Sequence, residues 1–413
     1  MKKSALYLLA FCGTLSSTGI AQVVNSGQSI VLTENSLLFV SGDFVNTKGT
    51  VLNNGKLEVK GNFRNNDLNS LVFNSDSRGL VALSGDVQEI GGLRTVFPSL
   101  ALSGTGDKIL KTDIDVTGIL SLGNKQLYAD EFSLHIINPN PDAIIRGENA
   151  GTAGTGFIST ETRGALIRNT NSDLPYLFPL GSSRLNSNLL GVNPLYRPLQ
   201  FKPQNSFENT FSASLQNEDA TNAGYDKARK RHDVKNVSDK YFYLLSQKAG
   251  TSNVDVTFYQ NSAIDNSYSQ LVNWTNFLIW EKAAPSNVST GSYGDDLNTS
   301  IRFSSTQPFN NVPFTFSSEL GGVNPLTFYN AFSPDGDNKN DVWIINNINL
   351  YPDNKLIIYN RWGDEVFSSK GYTNEKAWDG GDLQSGTYYY VLTVTIENQS
   401  RVFKGFITMI KKN

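Results

Sequence analysis

The chain has 413 residues, with 35 Lys and Arg against 38 Asp and Glu, a net charge of −3 and a single cysteine. That near-balance excludes the strongly basic surface of a nucleic-acid binder or of a protein held on an anionic membrane. Gly, Asn, Ser and Thr are abundant, long helical periodicities are absent, and aromatic and β-branched residues come in short runs between turn residues. This composition predicts an all-β fold with strands of about 5 residues.

At the N-terminus, Met1-Lys2-Lys3 is basic, Ala5–Phe11 is apolar, and small and polar residues lead to Gly19-Ile20-Ala21. The layout predicts a secretory signal peptide over residues 1–21, cleaved after Ala21. Losing Lys2 and Lys3 takes the net charge from −3 to −5. Phe11 fits poorly in front of a lipidated cysteine, so Cys12 reads as incidental to the apolar segment. The mature chain then holds no cysteine and no disulfide, and burial must supply its stability. No later segment approaches the roughly 20 apolar residues of a transmembrane helix.

Residues 22–165 carry a repeat. Val40-Ser-Gly-Asp-Phe44 recurs as Val59-Lys-Gly-Asn-Phe63 and Leu83-Ser-Gly-Asp-Val87, with looser copies from Leu102 and Val116. Each copy is an apolar residue, a Gly-Asp or Gly-Asn turn, and another apolar residue. Gly and Asn tolerate positive φ and let the chain turn a corner. Steps of 19, 24, 19 and 14 residues predict a β-solenoid whose rungs stack and bury an inward ladder. A meander of hairpins places the same turns. In a solenoid Asp43, Asn62 and Asp86 line one edge. A line of equivalent turn residues is what structure alone predicts, so no catalytic role is assigned to them. His135 lies in an apparent strand and reads as a packed or surface histidine.

Residues 166–322 predict a β-sandwich. Proline-rich stretches at 174–181 and 193–198 mark the seam. Strand candidates follow at Pro198–Phe201, Phe211–Leu215, Lys240–Ser246, Val254–Tyr259, Phe277–Glu281, Thr299–Phe303 and Phe314–Ser317. Val254, Val256 and Phe258 alternate with Asp255 and Thr257, the pattern of a half-buried strand. Trp274 and Trp280 read as core rather than as a sugar-stacking platform. The basic run Lys227–Lys235 reads as a solvated loop or short turn; contact with an anionic surface polysaccharide is its functional alternative.

Residues 323–413 are the most informative. Phe332–Asp341 reads FSPDGDNKND, dense in short oxygen side chains that can wrap a hard cation such as Ca²⁺. Asp335, Asp337, Asn340 and Asp341 are the candidate ligands; an array of Asx turns bonding only the backbone is the alternative. Then come Leu356–Tyr359 running into Asn360-Arg361-Trp362-Gly363, the turn Trp378-Asp379-Gly380-Gly381, and Gly386 before a strand in which Tyr388, Tyr390, Leu392, Val394 and Ile396 share one face. A last strand over Phe403–Ile410 contains Lys404-Gly405. Paired strands with one apolar face in about 90 residues predict an immunoglobulin-like sandwich.

The order of these motifs resembles the gliding motility-associated C-terminal domain, the type B sorting signal of type IX secretion in Bacteroidetes. The family form of the acidic loop has Asn-Gly-Asp-Gly; here Asp335 stands for the Asn and Asn338 for the second Gly, and an Asn can still adopt the left-handed conformation that Gly would take. Tyr359, Asn360, Arg361, Trp362, Gly363, Trp378, Asp379, Gly380, Gly386, Tyr388, Lys404 and Gly405 are the residues that match the family's motifs. The resemblance implies Sec export, folding in the periplasm, recognition by the type IX translocon with an outer-membrane β-barrel partner, and a destination outside the cell.

The two histidines, His135 and His232, and the absence of clustered acids predict a non-enzymatic protein with a role in adhesion, gliding or surface assembly. One alternative is a secreted carbohydrate-active protein using the solenoid groove. Another is an accessory subunit that stays bound to the secretion or gliding machinery.

Overall fold

A computed structural model describes residues 22–68, 71–147, 154–189, 192–231, 233–283, 286–318, 326–337, 339–396 and 399–411. The expected signal peptide with Cys12, His232, Asn338 and the junction at 319–325 lie outside these residues. The chain forms two compact units, Met1–Glu319 and Leu320–Asn413. It is 48% strand and 5% helix, as the composition demands.

The first unit opens with a β-solenoid of about six turns. Seven strands, from Val23–Leu32 to Phe157–Ser159, stack in parallel as one face. Six shorter strands, from Leu37–Val40 to Ile144–Ile145, form a second. A third face begins at Thr95–Phe97 and continues through Ile114–Val116, Ser133–Ile136 and Ala165–Thr170. Parallel in-register stacking puts like on like. Leu57, Val81, Leu100, Leu120 and Ile144 are successive partners, all buried. Phe44 stacks on Phe63 at 5.3 Å between ring centroids, and Phe97 lies 5.1 Å from Phe63. Asn25, Asn46 and Asn65 form a buried amide ladder joined at 3.0 and 3.4 Å. Each such bond satisfies a polar group that burial would otherwise leave at a cost of about 1–3 kcal/mol.

The repeat glycines turn out to serve close stacking more than positive φ. A Cβ on Gly61 would overlap the Asp43 side chain, and one on Gly85 would overlap the Lys60 carbonyl; neither backbone is left-handed. Only Gly104 of these copies needs both, with φ +84° and the Gly85 carbonyl against it. At the same corner Lys108 is fully buried, and its Nζ donates to the carbonyls of Asp86 and Gly106, both at 2.8 Å. Burial pushes its pKa down to about 8.

The Ala165–Thr170 strand is where parallel stacking ends. It pairs in parallel with Ser133–Ile136 on one side and antiparallel with Asn209–Gln216 on the other. The sheet then runs on through Phe242–Ala249, Val312–Ser317, Gln270–Trp274 and Trp280–Lys282. A five-stranded sheet, ordered Tyr176–Phe178, Leu199–Pro203, Val254–Gln260, Thr299–Ser305 and Ser286–Thr290, shares its core. One sheet therefore serves both solenoid and sandwich. The expected boundary at 165/166 falls on the first residues of that shared strand.

Other expectations in this region are refined. Phe277–Glu281 is not a continuous strand: Phe277 is 80% exposed, Leu278 has φ +58°, and the strand is Trp280–Lys282. Trp280 is fully buried and Trp274 half-buried at 5.5 Å, both in a small core with Val234, Val237 and Phe242. The basic run lies over this core. Lys227 pairs with Asp219 at 2.5 Å, Arg231 with Glu281 at 3.8 Å, and the Arg229 guanidinium sits 6.0 Å above Trp274.

The sandwich interior holds a full ion pair. The Arg197 Nε and Nη2 donate to Asp265 at 2.6 and 2.9 Å, with side-chain exposures of 4% and 0%. The Tyr241 hydroxyl and the Asn261 N–H also donate to Asp265, at 3.0 and 2.9 Å. At the shared strand, Arg168 is buried without a carboxylate. It donates to the Leu177, Asn140 and Pro141 carbonyls at 2.7–3.0 Å, and burial pulls its pKa down to about 10. Those bonds tie the last solenoid corner to the first strand of the second sheet.

The second unit is an unequal sandwich. Five strands are ordered Ala331–Phe332, Gln399–Met409, Gly386–Ile396, Asn354–Tyr359, Glu365–Lys370; the outermost joins in parallel, the rest antiparallel. Among the described residues the facing layer is the pair Thr327–Phe328 and Ile345–Asn346, with loops that supply Trp343, Tyr372 and Trp378. Tyr388, Tyr390, Leu392, Val394 and Ile396 all face this core.

Candidate functional site

The acidic loop follows the Ala331–Phe332 strand. It brings Asp335, Asp337 and Asp341 together, with one carboxylate oxygen from each lying within 4.8 Å of the others. The Asp341 Oδ1 accepts from the N–H groups of Asp335 and Gly336 at 3.0 and 2.8 Å, and Asp337 Oδ1 accepts from Lys339 N–H at 2.8 Å. The loop is thus an Asx-turn array whose carboxylates also converge. Asn340 contributes backbone: its φ is +55° and its carbonyl accepts from Ser333 at 2.8 Å. Among the described residues of the loop, Gly336, at φ +80°, and Asn340 are left-handed corners. An all-oxygen, triply anionic donor set suits a hard divalent cation.

The family-motif residues divide into two groups. Trp378 is 4% exposed and packs 5.2 Å from Phe332 and 5.4 Å from Tyr388. Asp379 Oδ1 accepts from Gly381 N–H at 3.0 Å. Gly380 has φ +81° and leaves no room for a Cβ beside Met409. Gly386 opens an 11-residue strand of the central sheet, and the buried Tyr388 donates its hydroxyl to the Gln384 carbonyl at 2.7 Å. Gly405 makes space for the Tyr390 ring directly opposite. These residues build the fold.

The second group faces solvent. Asn360 Oδ1 accepts from the N–H groups of Trp362 and Asp364, both at 2.9 Å, and Gly363 has φ +93°. That turn projects Trp362, which is 76% exposed, with the Arg361 guanidinium 5.0 Å from its ring. Tyr359 is half-buried on the outward side of its strand, and Lys404 is exposed.

Residues 326–409 match the CHU_C type IX secretion signal domain. This chain is type IX secretion cargo. The match covers about a fifth of the chain, and neither a curated protein nor a solved structure gives a significant match. The CHU_C domain implies recognition by the secretion machinery and export across the outer membrane, to the cell surface or the extracellular space. Among the described residues no helix is long and apolar enough to cross a membrane.

In the first unit the acidic turn residues act as scaffold. Asp43 Oδ1 accepts from Asn62 N–H at 2.7 Å, Asn62 Oδ1 from Glu89 N–H at 2.8 Å, and Asp107 Oδ1 from Gln126 N–H at 2.9 Å. His135 sits in a polar string along the shared sheet. Its Nδ1 is 3.5 Å from Asp115, its Nε2 is 2.9 Å from the Asn169 amide oxygen, and Arg94 closes on Asp115 at 2.6 Å. The Asp115 carboxylate holds the imidazole above its ordinary pKa. Sequence reading missed this string because its members lie 20 or more residues apart and meet only through rung stacking.

Proposed function

We propose that the exported chain is a non-enzymatic surface protein whose solenoid and sandwich serve adhesion, gliding or surface assembly. The observation that carries the reading is the use of the solenoid's turn carboxylates. Asp43 and Asp107 accept backbone N–H groups of the following rung and Asp86 accepts from the Thr105 hydroxyl, so they work as rung-to-rung fasteners. A dedicated outer-membrane β-barrel partner of the type B route is part of the same reading, and a surface polysaccharide is the ligand class to test first. Deletion of the chain is expected to reduce surface attachment or gliding without changing polysaccharide breakdown. Loss of polysaccharide hydrolysis with normal attachment and gliding would overturn the reading.

Ca²⁺ in the 335–341 loop is the accompanying proposal, supported by the three converging carboxylates. Added Ca²⁺ is expected to raise the thermal midpoint of the sorting domain, and Asp337→Ala to remove that shift. No effect of a chelator on the unaltered chain counts against it.

A carbohydrate-active reading has one specific support, a cleft of about 550 Å³ where the chain enters the shared strand. It is lined by Glu161, Arg163, Arg184, Glu218 and Tyr225. Burial raises the Glu161 carboxyl pKa, and Arg184 approaches at 3.9 Å. Release of reducing ends from a polysaccharide panel, abolished by Glu161→Gln, is the result that would establish it. Co-purification of the intact chain with translocon components distinguishes a machinery accessory from released cargo.

A further inference from the structure

Among the described residues of the sorting domain, the core packs against one face of the five-stranded sheet, and side chains of the other face are exposed. Strand register places Tyr359 beside Tyr389, and Tyr389 beside Phe406, across three adjacent strands. Their immediate neighbours Ile358 and Tyr390 are buried, so alternation turns the aromatic row outward. Tyr389 is 49% exposed and Phe406 52%. Directly opposed side chains in antiparallel strands lie about 4.5–5.5 Å apart at Cβ, so the three aromatic residues form a row, an aromatic strip, across the sheet. Arg361 and Trp362 follow Tyr359 after Asn360, in the turn at one end of the strip.

Charge sets this sheet apart from the loops of the same domain. Among the described residues of its five strands, Glu365 is the sole carboxylate; Lys355, Lys370 and Lys404 stand on the outward side, while register sets Arg401 opposite the buried Val394. Strand formation alone does not call for this arrangement. Threonine or valine at the outward positions would serve pairing as well without exposing large apolar area, and exposed apolar strips with polar rims are a mark of docking surfaces. The motif residues that the fold leaves unexplained, namely Tyr359, Arg361, Trp362 and Lys404, belong to this strip or its rim.

We propose that this aromatic, basic sheet face is the surface by which the secretion machinery reads the domain, docking against a protein surface with an apolar centre and an acidic rim. The proposal rests on the domain acting as the export signal. Aromatic rings supply contact area at low entropic cost, while lysine and arginine at the rim steer an acidic partner and set the register.

The test uses the full chain in its native cell. Tyr389→Thr/Phe406→Thr and Lys355→Glu/Lys404→Glu are compared with Lys376→Glu, which makes the same kind of charge change at an exposed turn outside the strands. Each variant is first shown by thermal unfolding to keep a folded sorting domain. The expected result is at least a tenfold fall in the external fraction for both face variants, with accumulation in the periplasm, and normal export of Lys376→Glu. A photo-crosslinking residue at position 389 is expected to capture an outer-membrane protein of the machinery, and one at position 376 to capture none. Folded face variants exported normally overturn the proposal, as does a crosslink only to lipopolysaccharide or to a second copy. If a chain truncated at Gly322 is also exported normally, the export-signal reading itself fails. If only the truncation is blocked, the face alone is refuted.

Discussion

Two tryptophans of the sorting-domain motifs sit in opposite environments and predict opposite responses. Trp378 is 4% exposed, with Phe332, Tyr388 and Phe367 at 5.2, 5.4 and 6.2 Å between ring centroids. Trp378→Ala removes a close-packed ring and leaves a cavity, at a cost of about 3–5 kcal/mol. A unit of about 90 residues holds roughly 5–13 kcal/mol in total, so the loss takes a large part of its stability. Trp362 is 76% exposed and its ring meets the Arg361 guanidinium; Trp362→Ala should cost no more than about 0.5 kcal/mol. Hydrogen-exchange mass spectrometry of the full chain, on peptides from Gly386–Ile396 and Gln399–Met409, reads the opening of this unit alone. At about 1.4 kcal/mol per tenfold, Trp378→Ala is expected to speed exchange there by about a hundredfold or more. Trp362→Ala should leave it within about threefold. Equal effects of the two substitutions would refute the division of the motif into folding and outward residues.

Asp265→Ala strands the Arg197 guanidinium in the sandwich interior and is expected to cost about 3–5 kcal/mol in urea unfolding. Arg197→Met/Asp265→Leu should recover much of that, because a buried pair replaced as a whole loses no partner. Recovery of nothing would show that packing, not the orphaned charge, sets the cost. The raised His135 pKa contributes stability that is fully present below the ordinary imidazole value of about 6.5. That contribution is lost as the pH rises through the raised folded value. The thermal midpoint difference between the unaltered chain and His135→Asn should therefore be larger at pH 5.5 than at pH 8.5, and a pH-independent difference would exclude the Asp115 pairing. Gly380→Ala combines an unfavourable positive φ with a Cβ driven onto the Met409 sulfur. It should lower the sorting-domain midpoint more than Gly381→Ala, whose Cβ meets nothing within 4 Å; equal shifts would mean that φ alone matters.

The sequence by itself determined what depends on near neighbours along the chain. Period-two alternation put Tyr388, Tyr390, Leu392, Val394 and Ile396 on one face, and all five are buried. Recurring Gly-Asp and Gly-Asn corners marked the rungs, and the order of motifs from Phe332 to Gly405 named the export signal. Even the convergence of Asp335, Asp337 and Asp341 is a property of seven consecutive residues. Tertiary structure alone decided what depends on register. It set which glycines are pressed against the rung below, and that one strand belongs to both solenoid and sandwich. It joined Arg197 to Asp265 across 68 residues, and Arg146 to Asp295 across 149. Alternation says that Tyr359, Tyr389 and Phe406 lie opposite their buried neighbours. Only the pairing of three strands sets them side by side. The reason is common to all these cases: local pattern limits a side chain to one of two faces, whereas its contacts are set by strands distant in sequence.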